Sequence, residues 1–145
     1  MHAYTVDLPR LQAPPTRNTL PRPFLKWVGG KRQLIPQLVE RLPRRFGVYH
    51  EPFVGGGALF FHLRPRMAVI ADVNLRLIRT YRAVRDQVED VLELLRGYPH
   101  DKEFYLELRA KDIDACDDVE VAAWFIYLNR TGFNGLYRVN RRNRF

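Results

Sequence analysis

Residues 49–74 read YHEPFVGGGALFFHLRPRMAVIADVN, a strand–turn–helix–strand pattern. Tyr49 to Phe53 is a short buried strand, Gly55-Gly56-Gly57 a tight turn, and Ala58 to Leu63 the helix that follows it. Met67 to Ala71 is a second buried strand, ending at Asp72. A strand that stops at three glycines lets the backbone approach a ligand closely, while the new helix offers its N-terminal N–H groups. Asp72 then falls at the end of the neighbouring parallel strand, where a carboxylate accepts hydrogen bonds from ribose hydroxyls. The pair points to an adenosine-containing ligand. A plain structural turn, with Asp72 capping the next helix, fits the same pattern.

Two phosphate motifs fail in this chain. The third glycine of G-x-G-x-x-G falls at Phe60, and a P-loop counted back from Gly30-Lys31 has Leu25 at its first glycine and Arg32 in place of Ser or Thr. This argues against a nucleotide-dependent oxidoreductase or kinase. A nucleoside without a polyphosphate remains, which fits S-adenosylmethionine.

Outward from this stretch, the first 23 residues hold five of the ten prolines and no helical or strand periodicity, and read as a disordered or extended leader. Folding begins at Phe24. Arg32 to Leu42 carries Leu34, Leu38, Val39 and Leu42 at helical spacing, with Pro36 near the first turn. Beyond Asn74 the pattern is helical over Leu75 to Asp86, Val88 to Arg96, Glu103 to Lys111 and Val119 to Asn129. Residues 24–75 thus alternate strand and helix, and residues 76–145 are helices with a basic tail.

Composition is that of a globular chain of 145 residues, 46% hydrophobic and 28% charged, which excludes disorder throughout. A single cysteine, Cys116, excludes an internal disulfide and a zinc site built from cysteines, and indicates a reducing compartment such as the cytoplasm. The longest apolar run, Val121 to Leu128, is too short to span a membrane. The net charge of +8 is unevenly spread. Residues 1–50 carry nine Lys and Arg against two acids, residues 51–128 ten against fourteen, and residues 129–145 five against none. Basic ends around an acidic middle favour a polyanion partner.

Four blocks carry a family resemblance. Phe24–Lys31 reads FLKWVGGK, Glu51–Phe60 EPFVGGGALF, Ala71–Asn74 ADVN and Leu128–Asn140 LNRTGFNGLYRVN. In this order they resemble blocks of the Dam-like DNA adenine-N6 methyltransferases. The resemblance implies an α/β fold: a partial Rossmann-like methyltransferase sheet over residues 24–75, followed by a helical target-recognition domain over residues 76–145. It further implies S-adenosylmethionine as cofactor, double-stranded DNA as partner, adenine in a short site such as GATC as substrate, and a role in DNA methylation or restriction-modification.

Carried over residue by residue, the resemblance makes Trp27, Lys31, Phe53, Gly55, Gly57 and Asp72 cofactor-binding. Trp27 offers a flat apolar surface, Lys31 a charge for the methionine carboxylate or for a nearby acid, and Asp72 two acceptors. Glu51 is a candidate for the methionine ammonium. The last block carries the DNA contacts: Lys26, Arg130, Asn134 and Arg138 on bases or phosphates, Phe133 as a wedge between base pairs, and Leu136 on a thymine methyl. An apolar wedge helps offset the unstacking that flipping the target adenine requires. Read without the family, Phe133-Asn134-Gly135 is a turn with a buried ring and the arginines of the tail a solvated terminus.

One family motif is absent. Amino-methyltransferases hold the target amino group with Asp, Asn or Ser followed by Pro-Pro-aromatic, and the nearest sequence here, Ala13-Pro14-Pro15-Thr16, lacks both acceptor and ring. No catalytic residue is assigned in this chain. The expectation is an N-terminal portion of the enzyme that needs a C-terminal half or a partner chain, the alternative being a catalytically inactive DNA-binding remnant. With two sheet strands and uncovered edges, such a portion is expected to dimerise, aggregate or rearrange its N-terminal region.

Overall fold

The computed structural model describes residues 4–7, 20–135, 137 and 139. The chain divides into two compact units, residues 1–24 with 29–73, and residues 25–28 with 74–145.

The first unit is built on a three-stranded sheet. Its elements are β1 (Tyr4–Asp7), a 3-10 turn at Lys31–Leu34, α1 (Ile35–Arg41), β2 (Tyr49–Glu51), α2 (Ala58–Leu63) and β3 (Met67–Ile70). The strand order is β1-β3-β2. β2 and β3 run parallel, with Tyr49 opposite Ala68 and Glu51 opposite Ile70, and α2 makes the crossover that parallel strands require. Pairing continues past β3, where the Ala71 N–H donates to the Glu51 carbonyl at 2.8 Å and the Ala71 carbonyl accepts from the Val54 N–H at 2.9 Å. Val54, Leu59, Phe60, Ala68 and Ile70 are buried.

Three expectations change here. Tyr4–Asp7, inside the stretch read as a leader, is a strand pairing antiparallel with β3 from Tyr4 opposite Ile70 to Asp7 opposite Met67. Four residues are too few for a periodic signal; the long-range ladder makes them a strand. The helix expected from Arg32 to Leu42 splits into the 3-10 turn and α1, with Pro36 at the start of α1, where its missing N–H has no intrahelical partner to lose. β2 stops at Glu51, just before Pro52, which has no N–H for the ladder.

The helical unit comprises α3 (Leu75–Asp86), α4 (Val88–Gly97), α5 (Lys102–Ala110) and α6 (Asp118–Thr131), with 3-10 turns at Ile113–Ala115 and Phe133–Gly135. α6 is apolar around most of its circumference and is the unit's central helix, with Val121 to Phe125, Tyr127 and Leu128 buried. Ala83 of α3, Val91 of α4 and Ala122 of α6 pack together, joined by Leu95, Val119 and Ile126. Side-chain caps start three helices: Asn74 Oδ1 accepts from Leu77 N–H (3.1 Å), Asp101 from Phe104 (2.8 Å) and Asp117 from Glu120 (2.8 Å). Arg76 forms a two-pronged ion pair with Asp114, both bonds 2.7 Å, and its guanidinium lies 5.3 Å from the Trp124 ring centroid. The Trp124 indole N–H donates to the Leu108 carbonyl at 2.8 Å. Among the described residues no helix is long and apolar enough to cross a membrane.

Candidate functional site

In the sheet unit the chain leaves β2 through Pro52 and Phe53, and Phe53 is left 69% exposed. The Val54 carbonyl then accepts from the Gly57 N–H at 2.8 Å, closing a turn. Gly55 and Gly57 have φ of 50° and 71°, a region that a Cβ disfavours, so the sequence meets the turn's demand with glycine. Asp72, just beyond β3, accepts a 3.0 Å hydrogen bond from the Gly55 N–H through Oδ2. The glycine turn and the acid read from the sequence therefore converge on one spot. That donor set, turn backbone beside a carboxylate, fits the ribose end of a nucleoside. α2 is only six residues long, so the turn carries this reading rather than the end of the helix.

Lys31 is anchored to the strand exit. Its Nζ donates to Glu51 Oε1 at 3.0 Å and to the Phe53 carbonyl. Of the two roles open to Lys31, the charge for a nearby acid is the one this arrangement fills. Glu51 is 5% exposed and would be costly to bury unpaired; the Tyr49 hydroxyl donates to its second oxygen at 2.7 Å. Burial first, and then the bond and charge of Glu51, push the Tyr49 phenol well above its usual range. The ammonium beside Glu51 here is that of Lys31. Nothing in the sequence singled out Tyr49; its pairing follows from period-two alternation, which puts residues 49 and 51 on one face of β2.

Trp27 belongs to the helical unit, whereas Lys31, Phe53, Gly55, Gly57 and Asp72 belong to the sheet unit. The Trp27 indole lies nearly parallel to Phe125 (centroids 6.3 Å, 15°) and Tyr137 (5.7 Å, 12°).

The candidate DNA contacts that the structure describes gather in the helical unit. Lys26, Arg130, Phe133 and Asn134 are all exposed. Phe133 is 84% exposed, so the reading of this turn with a buried ring is corrected: the ring stands out into solvent. Asn134 adopts a left-handed conformation (φ 55°), one that Asn tolerates, and the Gly135 N–H donates to the Gly132 carbonyl at 3.0 Å. Leu136 and Arg138 lie outside the described residues, as do Arg141, Arg142 and Arg144. Sequence reasoning gave no role to Asn129, which is fully buried and bonds to the Lys26 backbone from the end of α6. The available signal was its position, a polar amide directly after the longest apolar run. Among the described residues no cluster of His, Cys, Asp or Glu is arranged to hold a metal ion.

Comparison with known proteins identifies a family. Residues 27–145 match the model of the D12 class N6 adenine-specific DNA methyltransferase family. A type II methyltransferase of Lactococcus lactis subsp. cremoris is 49% identical over 130 residues, covering 86% of this chain and 46% of the relative. A type II methyltransferase of Methanocaldococcus jannaschii is 39% identical over 145 residues, covering 86% of this chain and 50% of the relative. A DNA adenine methylase of Haemophilus influenzae is 34% identical over 129 residues, covering 86% and 45%. The chain spans about half the length of the curated relatives it matches. It belongs to the D12 class N6 adenine-specific DNA methyltransferases, a family whose chemistry requires a methyl donor.

Proposed function

We propose that this chain carries the donor-binding and duplex-binding portion of a site-specific DNA adenine-N6 methyltransferase, with S-adenosylmethionine as donor and adenine in duplex DNA, in a GATC-like site, as acceptor. The sheet unit is then part of a Rossmann-like methyltransferase sheet and the helical unit the target-recognition domain. The observation that carries the reading is the Gly55 N–H to Asp72 bond of 3.0 Å in a chain of this family.

In this proposal Asp72 accepts from the ribose hydroxyls and Gly55 and Gly57 let the backbone approach the ligand. Lys31, bound to Glu51 and the Phe53 carbonyl, holds the strand exit in place. When bound, the donor supplies an electrophilic sulfonium methyl. Lys26, Arg130, Asn134 and Arg138 hold bases and phosphates, Leu136 meets a thymine methyl, and Phe133 fills the space that a flipped adenine leaves. The site of action is the cytoplasm.

The sequence contains no Asp-Pro-Pro-Tyr type motif, so methyl transfer is assigned to the chain completed by a matched C-terminal segment from a relative. Titration calorimetry should show S-adenosylmethionine binding to the chain, weakened by Asp72→Ala. Labelled methyl should reach adenine N6 only in the completed protein. A folded chain that binds no donor, together with a completed protein that transfers no methyl, would refute the reading.

A second reading, a DNA-binding module without catalysis, is favoured by the solvent-facing set Lys26, Arg130, Phe133 and Asn134. It predicts duplex binding that is steep in salt and indifferent to the donor.

A further inference from the structure

Lys26 and Asn129 are 103 residues apart in sequence, and one side chain in the helical unit closes that gap. Asn129 lies in the last turn of α6 and is 0% exposed. Its Oδ1 accepts the Lys26 N–H at 2.9 Å, and its Nδ2 donates at 2.9 Å to both the Lys26 carbonyl and the Gly135 carbonyl. The first two bonds pair both main-chain groups of Lys26 along one edge, as a neighbouring strand would. The third fixes the exit of the Phe133–Gly135 turn. Gly135 completes the joint. It has φ +63°, and a Cβ there would collide with Lys26 Cδ and lie 2.9 Å from the Asn129 carbonyl oxygen. The aliphatic stem of Lys26 therefore runs across the bare glycine, leaving the residue exposed beside the turn that bears Phe133 and Asn134.

We infer that Asn129, together with Gly135, is a positioning residue for duplex binding: it fixes the Lys26 side chain relative to the Phe133–Asn134 turn before DNA arrives. The inference rests on the proposed DNA-binding role of Lys26. The physical gain is preorganisation. A lysine stem loses rotamer freedom when its ammonium is held by a phosphate or base, and a stem already laid across Gly135 has less to lose. An asparagine with three satisfied bonds in a fully buried place has no second arrangement of comparable energy, so the joint is rigid.

The test is a double-mutant cycle on the full chain, binding a fluorescein-labelled GATC duplex of about 20 base pairs over a salt series. Lys26→Ala should weaken binding about tenfold and lower the slope of log affinity against log salt by about 0.9, the loss of one phosphate contact. In an Asn129→Ala or Gly135→Ala background, with folding verified by circular dichroism, Lys26→Ala should change affinity less than about twofold. Gly135→Ala leaves the Asn129 amide in place, and so covers the case in which Asn129→Ala does not fold. Equal Lys26→Ala losses in wild type and in a folded variant background overturn the inference alone. No Lys26→Ala loss in the wild-type chain overturns the DNA-binding role of Lys26, and the inference with it.

Discussion

The Gly55 main-chain N–H donates to Asp72 Oδ2 across 3.0 Å, joining the turn after one parallel strand to the residue after the next. The bond gives the glycine turn and the carboxylate a fixed relative geometry before any ligand is present. Preorganised acceptors beside closely approachable backbone suit a ribose better than a mobile aspartate would, because less order is lost on binding.

Asp72→Asn keeps an acceptor for Gly55 and removes the charge. Hydrogen bonds to charged groups contribute about 1.5–3 kcal/mol, so affinity for S-adenosylmethionine should fall roughly 10- to 100-fold, measured by titration calorimetry. The melting temperature should change little. Unchanged donor affinity in a folded Asp72→Asn chain would remove Asp72 from the site.

Lys31→Met leaves the buried Glu51 carboxylate with Tyr49 as its remaining partner among the bonds described. The Lys31 side chain is 34% exposed, which screens the pair, so the expected loss is about 1–2 kcal/mol in urea unfolding, not the larger cost of a fully buried pair. The double variant Lys31→Met with Glu51→Gln should recover more than half of that loss, because no unpaired buried charge remains. Equal stability of wild type and Lys31→Met would show that the pair does not hold the strand exit.

Phe133→Ala should leave stability within about 0.5 kcal/mol, since the ring is already in solvent. Duplex binding should weaken roughly 5- to 150-fold, because stacking a base on an aromatic ring is worth about 1–3 kcal/mol. 2-Aminopurine at the target adenine provides the readout: its fluorescence should rise on binding wild type and Phe133→Trp, and much less with Phe133→Ala. An equal rise in all three would exclude the wedge.

Stability should have an acid limb set in the helical unit. The hydrogen bond from Arg76, aided by its charge, holds the Asp114 carboxyl below its ordinary value of 3.8, and Lys111 likewise lowers Glu120 below 4.5. A depressed folded pKa gives stability that is present above the unfolded pKa and lost as pH falls through the folded one. Unfolding midpoints should therefore be flat near neutrality and fall below about pH 4, by a modest amount because Asp114 is largely exposed. Asp114→Asn should lower the neutral midpoint and flatten that limb. An alkaline limb should follow above pH 10.0, where unfolded tyrosines ionise and Tyr49, its folded pKa raised, does not; Tyr49→Phe should make it shallower.

Much of the chain was legible because its signals are local. Apolar spacing marked α3 through α6 to within a few residues, and the glycine triplet announced a turn needing positive φ. The parallel pairing of the strands around residues 50 and 70 followed from a strand, helix, strand order. The glycine turn and Asp72 form a recognisable pair because each ends one of two neighbouring strands.

The order of elements, the turn at Gly55–Gly57, the acid after β3 and the motif blocks that mark the family are each written in a short local stretch of the chain. Packing, not local sequence, makes Tyr4–Asp7 a strand, pairs Lys31 with Glu51, turns Phe133 to solvent and lets Asn129 hold Lys26 from 103 residues away. The physical reason is that a ladder, an ion pair and a buried amide are satisfied by whichever groups packing brings near, and side-chain period and propensity carry no record of partners so distant along the chain.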